Sequence, residues 1–316
     1  GVDIALYQGE TRDQILTATL DRATGYNNMI VNGGLVRNRG IEIEANVTPF
    51  RNKNGWTWRL FGTYSANENT VMELTDDLFA LQLQNTLSGR GSMEARVGQS
   101  MSAIYGTGYK RAPDGQIVYG EDGYPLLAND LIYLGDSNPK GKGSFGTEIK
   151  YKGISLNILF DGQFGGKGYS FTNAMLMEHG KHQKTLPGRY NGIIGNGVIE
   201  NPDGTYRKND VVANEIWTYY TRHSGRENLE GSMFNTDFLK LRELTLSYSF
   251  PARICKKIGM RKLSIGVYGR DLFMITNWPA FDPEFGTLNN GSIDKGFEIA
   301  QFPATRNFGV KLNIEF

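Results

Sequence analysis

Along RNFGVKLNIEF (306–316) apolar and polar positions alternate without a break. Phe308, Val310, Leu312, Ile314 and Phe316 stand against Asn307, Gly309, Lys311, Asn313 and Glu315. Side chains on a strand alternate between two faces, so this period of two predicts a strand with one wholly apolar and one wholly polar face. The pattern recurs in GIEIEANV (40–47), WTWRLFGTY (56–64), SFGTEIKY (144–151), ISLNILFDGQF (154–164) and KLSIGVYGRD (262–271). Leu159 is the one residue of ISLNILFDGQF that breaks it. Each segment predicts a half-apolar strand.

The length of the apolar runs separates lipid from a protein core. In FLKLRELTLSYSF (238–250) the apolar face runs through Phe250, Tyr248, Leu246 and Leu244, then meets Arg242 and Lys240 at the same alternation. Eight residues at roughly 3.3 Å each span about 26 Å, close to the apolar band of a membrane barrel. The two cations are then expected on the apolar face, marking its upper edge, with Tyr248 and Phe250 in the aromatic girdle at the other rim. Connections between strands also alternate. Segments 48–55, 152–153 and 251–261 are short, while 111–143, 165–237 and 274–304 are long and rich in Gly, Asn, Asp and Pro. Short turns on one rim and long loops on the other characterise bacterial outer-membrane barrels. The reading gives about ten strands, including a pair at 86–97 and 99–109. DDLFALQLQ suits a strand or a short helix, and SFTNAMLMEHG (170–180) predicts a short helix inside the longest loop.

Composition narrows the class. Apolar residues make up 39% of the 316, glycine numbers 40 and aromatics reach 12%, which favours strands and turns over helical cores. The net charge of +1 arises from 34 basic and 33 acidic residues, interspersed, so no long-range field recruits nucleic acid. The single cysteine, Cys255, excludes a disulfide framework or a Cys-based zinc cluster within this chain. No run approaches 18 apolar residues, which excludes a spanning helix but not a spanning barrel. The opening residues carry no signal-peptide pattern. Either a signal was removed or the chain is a piece of a longer one.

Several motifs invite chemistry. GKGSFG (141–146) matches GxGxxG but opens a strand rather than a helix, so it reads as a loop tightening into a strand. EHGKH sets His179 and His182 three apart beside Glu178, with His223 in the same loop; without further fixed ligands these read as solvated histidines rather than a metal site. The Asp-Gly pairs at 114–115 and 122–123 lack a calcium-loop register and predict type I′ hairpin turns. The long loops carry WTYYTRH (217–223) and NWPAFDPEF (277–285). Trp217, Tyr219, Tyr220, Trp278 and Phe281 supply aromatic faces for sugars or peptide side chains, and Arg222, Asp282 and Glu284 supply charges to orient them. The alternative role is to pack the loops together. Arg59, Glu148, Lys150, Asp161 and Arg270 fall on the polar, lumen-facing side, where a plugged barrel needs charges toward its plug and a hydrated substrate. None is assigned a catalytic role, and no cofactor or metal is implied.

TDFLKLRELTLSYSFP (236–251), LSIGVYGRDLFMITNWPAFDPEF (263–285) and FPATRNFGVKLNIEF (302–316) resemble the C-terminal end of SusC/RagA-type TonB-dependent outer-membrane transporters. GLVRNRGIEIEANVTP (34–49), VGQSMSAIYGTGYK (97–110) and YLGDSNPKGKGSFGTEIKYKGISLNILFDGQFGG (133–166) resemble earlier barrel segments of that family, in the same order. The resemblance implies a transmembrane antiparallel β-barrel in which residues 1–316 are about the last ten of 22 strands, the N-terminal plug and first strands lying outside this chain. It also implies import of an oligosaccharide or oligopeptide with a SusD-like surface lipoprotein, driven by TonB acting on the N-terminal part. In such proteins a final strand like Phe308, Val310, Leu312, Ile314 and Phe316 is read by the barrel-assembly machinery and pairs with the first strand. NWPAFDPEF resembles a recurrent family segment, which suggests a structural role for Trp278 and Phe281. Two other classes stay open from the residues alone: a complete ten-stranded outer-membrane hydrolase, and a soluble glycan-binding β-sandwich.

Overall fold

The computed structural model describes residues 1–19, 23, 25–26, 28–75, 80–86, 88–285 and 296–316. Eight long strands form one antiparallel sheet in chain order: β1 (Val2–Thr19), β2 (Asn28–Arg51), β3 (Thr57–Glu73), β4 (Gly141–Tyr151), β5 (Ile154–Phe164), β6 (Phe238–Ser249), β7 (Lys262–Thr276) and β8 (Asn307–Glu315). Every neighbour in the sheet is the next strand in sequence, so the wall is an up-and-down meander. Among the described residues the wall strands number eight rather than ten. Residues expected as a wall pair in 86–109 instead form Gly91–Arg96 and Ala103–Gly106, in a separate sheet with Ala80–Asn85 and Ile132–Asp136. Strands of 6 and 4 residues fall short of the 9–11 or so that a bilayer crossing needs. The strand in DDLFALQLQ begins at Ala80; residues 76–79 lie outside the described ones.

The register sorts the side chains as the alternation requires. Ile154, Leu156, Ile158 and Phe160 of β5 pair with Tyr248, Leu246, Leu244 and Leu241 of β6. Leu246, Ile265, Val267, Val310 and Leu312 are all exposed, on a face with no covering layer among the described residues. From Ile154 to Phe164 the face runs roughly 33 Å along the strand, which at a tilt of about 40° is roughly 25 Å of height. Aromatic rings crowd its short-turn rim, where Trp56 stacks on Tyr151 at 4.1 Å and Tyr248 meets Phe250 edge-on at 5.0 Å.

The register also corrects one expectation. Between Leu241 and Glu243 the pairing of β6 slips against both β5 and β7. A bulge places an extra residue in the strand and reverses the parity beyond it. Leu239 and Leu241 therefore stay on the apolar face, opposite Ile275 and Phe273. Lys240 and Arg242 turn to the polar face instead of marking the edge of the apolar one.

Connections 52–56, 152–153 and 250–261 are short, and 74–140, 165–237 and 277–306 are long. The long ones fold into a layer of their own. It contains a three-stranded sheet joining Met233–Asn235, Lys167–Ser170 and Phe297–Glu298, and two helices, α1 (Phe171–Glu178) and α2 (Ile216–Ser224). The predicted helix in 170–180 is α1, capped by Ser170, whose hydroxyl accepts from Asn173 N at 3.1 Å. The main buried cluster sits here: Met93, Ile104, Leu134, Tyr169, Leu229 and Phe297 bring all three long loops together. The Asp-Gly turns are present, but only the glycines take left-handed backbone, Gly115 at φ +88° and Gly123 at φ +78°. Each aspartate instead accepts from the amide two residues on, Gln116 and Tyr124. This is a glycine following a turn of ordinary hand, not the type I′ geometry, which needs two left-handed residues.

On the short-turn rim, α3 (Ala252–Lys257) follows Pro251 and encloses Cys255, which is 1% exposed with its Sγ 3.6 Å from the Phe250 carbonyl. Placement in a short turn alone predicts a thiol that reacts once the compartment below the membrane is opened. Burial adds a second barrier. A membrane-impermeant maleimide should leave Cys255 unmodified in intact cells and in opened envelopes, and modify it only after denaturation; rapid labelling of folded protein in opened envelopes would show that α3 does not cover the thiol.

Candidate functional site

The polar face of the wall is a field of ion pairs. Arg59 stands opposite Glu148 in the register of β3 and β4, and Lys150 reaches that carboxylate at 2.8 Å. Arg270 donates to Glu243 at 3.0 Å. The bulge makes the densest group. Arg242 donates to Asp161 at 2.7 and 2.8 Å, to Asp271 at 2.8 Å and to Glu284 at 2.9 Å. Asp271 can reach it because it takes left-handed backbone, φ +53°, where β7 slips against β6. Lys240, 3% exposed, holds both oxygens of Asp282 at 2.7 and 2.8 Å and also contacts Glu284.

These contacts fasten the segment 277–285 to the wall. Trp278 is buried with its ring stacked on Phe285 at 4.9 Å, and Asp282 is buried on Lys240. Both were candidates for touching a ligand; the structure uses both to seat the loop, and leaves Phe281 exposed. Sequence inspection missed Lys240 and Arg242 as partners of this segment. The available signal was the phase of the alternation, since apolar positions are odd at 239 and 241 and even at 244 and 246. Removing one partner of a buried ion pair leaves an uncompensated charge, which costs about 3 kcal/mol. Lys240→Met should therefore let chymotrypsin nick within 277–285 while the barrel itself stays folded by its heat-dependent gel mobility. An unchanged nicking rate would show that the ion pairs do not hold the segment.

In the loop layer, α2 is two-faced. Ile216, Tyr219, Tyr220 and His223, spaced by three and four, pack toward a cluster containing Tyr119, Met177, Ile199 and Ala213. Tyr219 and Tyr220 are thus buried, not presented to a ligand. His223 is held between two tyrosines, with Nδ1 3.1 Å from the Tyr109 hydroxyl and Nε2 3.1 Å from the Tyr119 hydroxyl. The Tyr109 hydroxyl donates to the His223 carbonyl at 2.7 Å, so it accepts from Nδ1–H, leaving Nε2 to accept from Tyr119. His223 is therefore not the solvated histidine expected. His179 and His182 are more open: His179 Nδ1 lies 2.9 Å from the Met175 carbonyl and His182 Nδ1 accepts from Lys184 N at 3.0 Å. Among the described residues no three His, Cys, Asp or Glu side chains are grouped to hold a metal.

Burial pushes His223 down to about 4 and raises Tyr109 and Tyr119 above the ordinary tyrosine range. A histidine depressed in the folded state binds fewer protons there than when unfolded. Stability is then retained above about pH 6.5 and declines as pH falls through about 4. Allowing for partial exposure, the loss is about 2 kcal/mol. Protection factors of amides in 109–119 and 216–224, with exchange corrected for its intrinsic pH dependence, should fall between pH 7.5 and pH 4.5 in the native protein and stay level in His223→Phe; an equal fall in both would discard the assignment.

The opposite face of α2 carries Trp217, Thr218, Thr221 and Arg222, and lines a cleft of about 560 Å³ against the turn bearing Ser88 and Arg90. Trp217 is 62% exposed. The Arg222 guanidinium sits over the Tyr124 ring at 5.5 Å and lies 3.9 Å from Asp122. Arg226 grips Glu178 through two bonds of 2.7 and 2.9 Å, which holds the carboxyl below its usual range. Of the predicted loop residues, Trp217 and Arg222 share this cleft, while Asp282 and Glu284 share a second cavity with Lys240 and Arg242. Sequence inspection missed Arg90, Glu178 as a partner, and Arg226, which come together only through the folding of two loops.

Comparison with known proteins agrees with this architecture. No family model matches the chain. All of it aligns with TonB-dependent receptor P3 of Formosa agariphila, at 24% identity over 352 residues and 33% of that receptor's length. The chain is similar throughout to TonB-dependent receptors. Receptors P39 and P26 of the same organism match at 22% identity over 100% and 99% of the chain. The wall likewise superimposes in full on a third of a chain in the structure of the RagAB peptide transporter, with a TM-score of 0.72 at 18% identity, and in that of the RagAB peptide importer in its closed-closed state, at 0.71. The chain spans about a third of the length of the relatives it matches. It is an antiparallel stretch of integral outer-membrane β-barrel, with its apolar face toward lipid.

Proposed function

We propose that this chain forms the C-terminal part of the wall and outer loops of a TonB-dependent importer, whose plug and first strands belong to the remainder of a longer polypeptide. On this reading Arg59, Glu148, Lys150, Asp161 and Arg270 face the lumen, where they contact the plug and a hydrated solute. The observation that carries the reading is an eight-stranded meander, apolar outside and charged inside, with β1 and β8 each paired on one side only among the described residues. Unpaired backbone groups in hydrocarbon cost several kcal/mol each, so both edges require further strands. Phe308, Val310, Leu312 and Ile314 of β8 then continue the lipid-facing band to that junction and carry the assembly signal together with Phe316.

The solute is an oligosaccharide or oligopeptide too large for open pores, captured in the outer loops beneath a SusD-like lipoprotein and released inward when TonB acts on the plug. Support comes from the similarity to TonB-dependent receptors and from the RagAB peptide transporter's fold. Extraction from outer membranes in mild detergent should yield a polypeptide of roughly 100 kDa, about three times the 35.2 kDa of this chain, together with a surface lipoprotein. Cells carrying it should accumulate labelled oligomers only while TonB is present. A lone 35 kDa barrel, or accumulation independent of TonB, would overturn the proposal.

A further inference from the structure

We infer that the cleft between α2 and the turn at Ser88 and Arg90 binds a pyranose that carries an anionic group. The inference rests on the importer reading and names the solute class it captures. Three arginines, Arg90, Arg222 and Arg226, line the cleft against two carboxylates, Glu178 and Glu227, for a surplus of one positive charge. Arg226 is saturated by Glu178. The other two are not: Arg90 approaches Glu227 no closer than 3.7 Å and Arg222 approaches Asp122 no closer than 3.9 Å. Among the described residues neither guanidinium donates a hydrogen bond. Two such arginines lining one cavity match a carboxylate or sulfate, which a guanidinium can bind through paired N–H donors.

The rest of the lining distinguishes a sugar from a peptide. Trp217 is the one apolar side chain in the wall, and its ring is open to the cavity's solvent. An indole face takes the C–H face of a pyranose, while Ser88 and Thr218 offer hydroxyls to the ring substituents. A peptide site needs apolar pockets for alternate side chains or a free strand edge, and the cleft offers neither.

The test is calorimetric titration of the full-length receptor in detergent with a glucuronate hexasaccharide, a neutral glucose hexasaccharide and a hexaglutamate peptide. The glucuronate oligomer should bind at least about tenfold more tightly than either other probe, with affinity falling as salt rises. Arg90→Gln with Arg222→Gln should remove about tenfold or more of that preference, Arg222→Lys should restore part of it, and Trp217→Ala should weaken both sugars. Unchanged proteolysis of the loop layer shows that these variants fold. Equal binding of the neutral sugar, retained affinity in the double arginine variant, or preference for hexaglutamate would each overturn the inference. Because these probes are read by binding, such a failure beside intact TonB-dependent uptake removes only the acidic sugar, whereas absence of any uptake removes the importer reading itself.

Discussion

Hydrocarbon offers no hydrogen bonds, so every backbone N–H and C=O of the wall must find its partner within the sheet. That requirement makes each crossing a strand and each strand a two-faced one. It explains why alternation is clearest in β4, β5, β7 and β8, where both faces are constrained at every residue. It also explains the bulge in β6. A slip in the ladder is tolerated near its upper end because the residues it displaces, Lys240 and Arg242, go straight into bonds with Asp161, Asp271, Asp282 and Glu284. Without the slip, regular alternation would turn the same two cations to the low-dielectric apolar face, away from those carboxylates.

Burial is distributed in an unusual way as a result. The wall hides little of its own apolar surface, since lipid covers it, and leucines and valines of β6 to β8 remain exposed within the chain. Most buried clusters lie in the loop layer, built from Met93, Ile104, Tyr169, Leu229 and Phe297 and from Tyr119, Met177, Tyr219 and Tyr220, while one more joins Val36 of β2 and Val71 of β3 to Leu81, Ala95 and Met101. The hydrophobic effect therefore stabilises the part exposed to water, while backbone pairing governs the part in lipid.

This division sets what could be read from residues alone. The wall has a period, and the period gave the strands, their faces and the rim of each turn. It failed where the ladder itself slips, at Arg242, because simple alternation assigns parity without knowing the register. It also over-counted by two strands, since MEAR and AIYG carry strand-like residues but too few to cross. The loop layer has no period. α1 was legible as a short helix, and Trp217 with Arg222 was legible as an aromatic and charged pair. That Tyr219 and Tyr220 turn away while Arg90 arrives from another loop depends on contacts more than a hundred residues apart. His223 shows the same limit: its spacing from Tyr219 and Tyr220 was visible, but the flanking hydroxyls come from Tyr109 and Tyr119.

The two regions are nonetheless tied by a traceable series of contacts. Lys240 and Arg242 seat Asp282 and Glu284 on the wall, and the same connection later supplies Phe297 and Glu298 to the small sheet, paired with Tyr169 and Ser170. Glu298, 2% exposed, accepts from the Ser170 hydroxyl at 2.8 Å, from Thr172 N at 3.1 Å and from the Thr172 hydroxyl at 2.6 Å. A carboxylate at the start of α1 satisfies free amides and suits the positive end of the helix. The far end of α1 carries Glu178, which fixes Arg226 beside the cleft. Charge pairs thus appear at each junction where a loop leaves one body for the next, and directional bonds of this kind specify orientation in a way that apolar contact cannot. The cleft under Trp217 is accordingly positioned relative to the wall by a run of oriented bonds, even though its own lining residues never touch the strands.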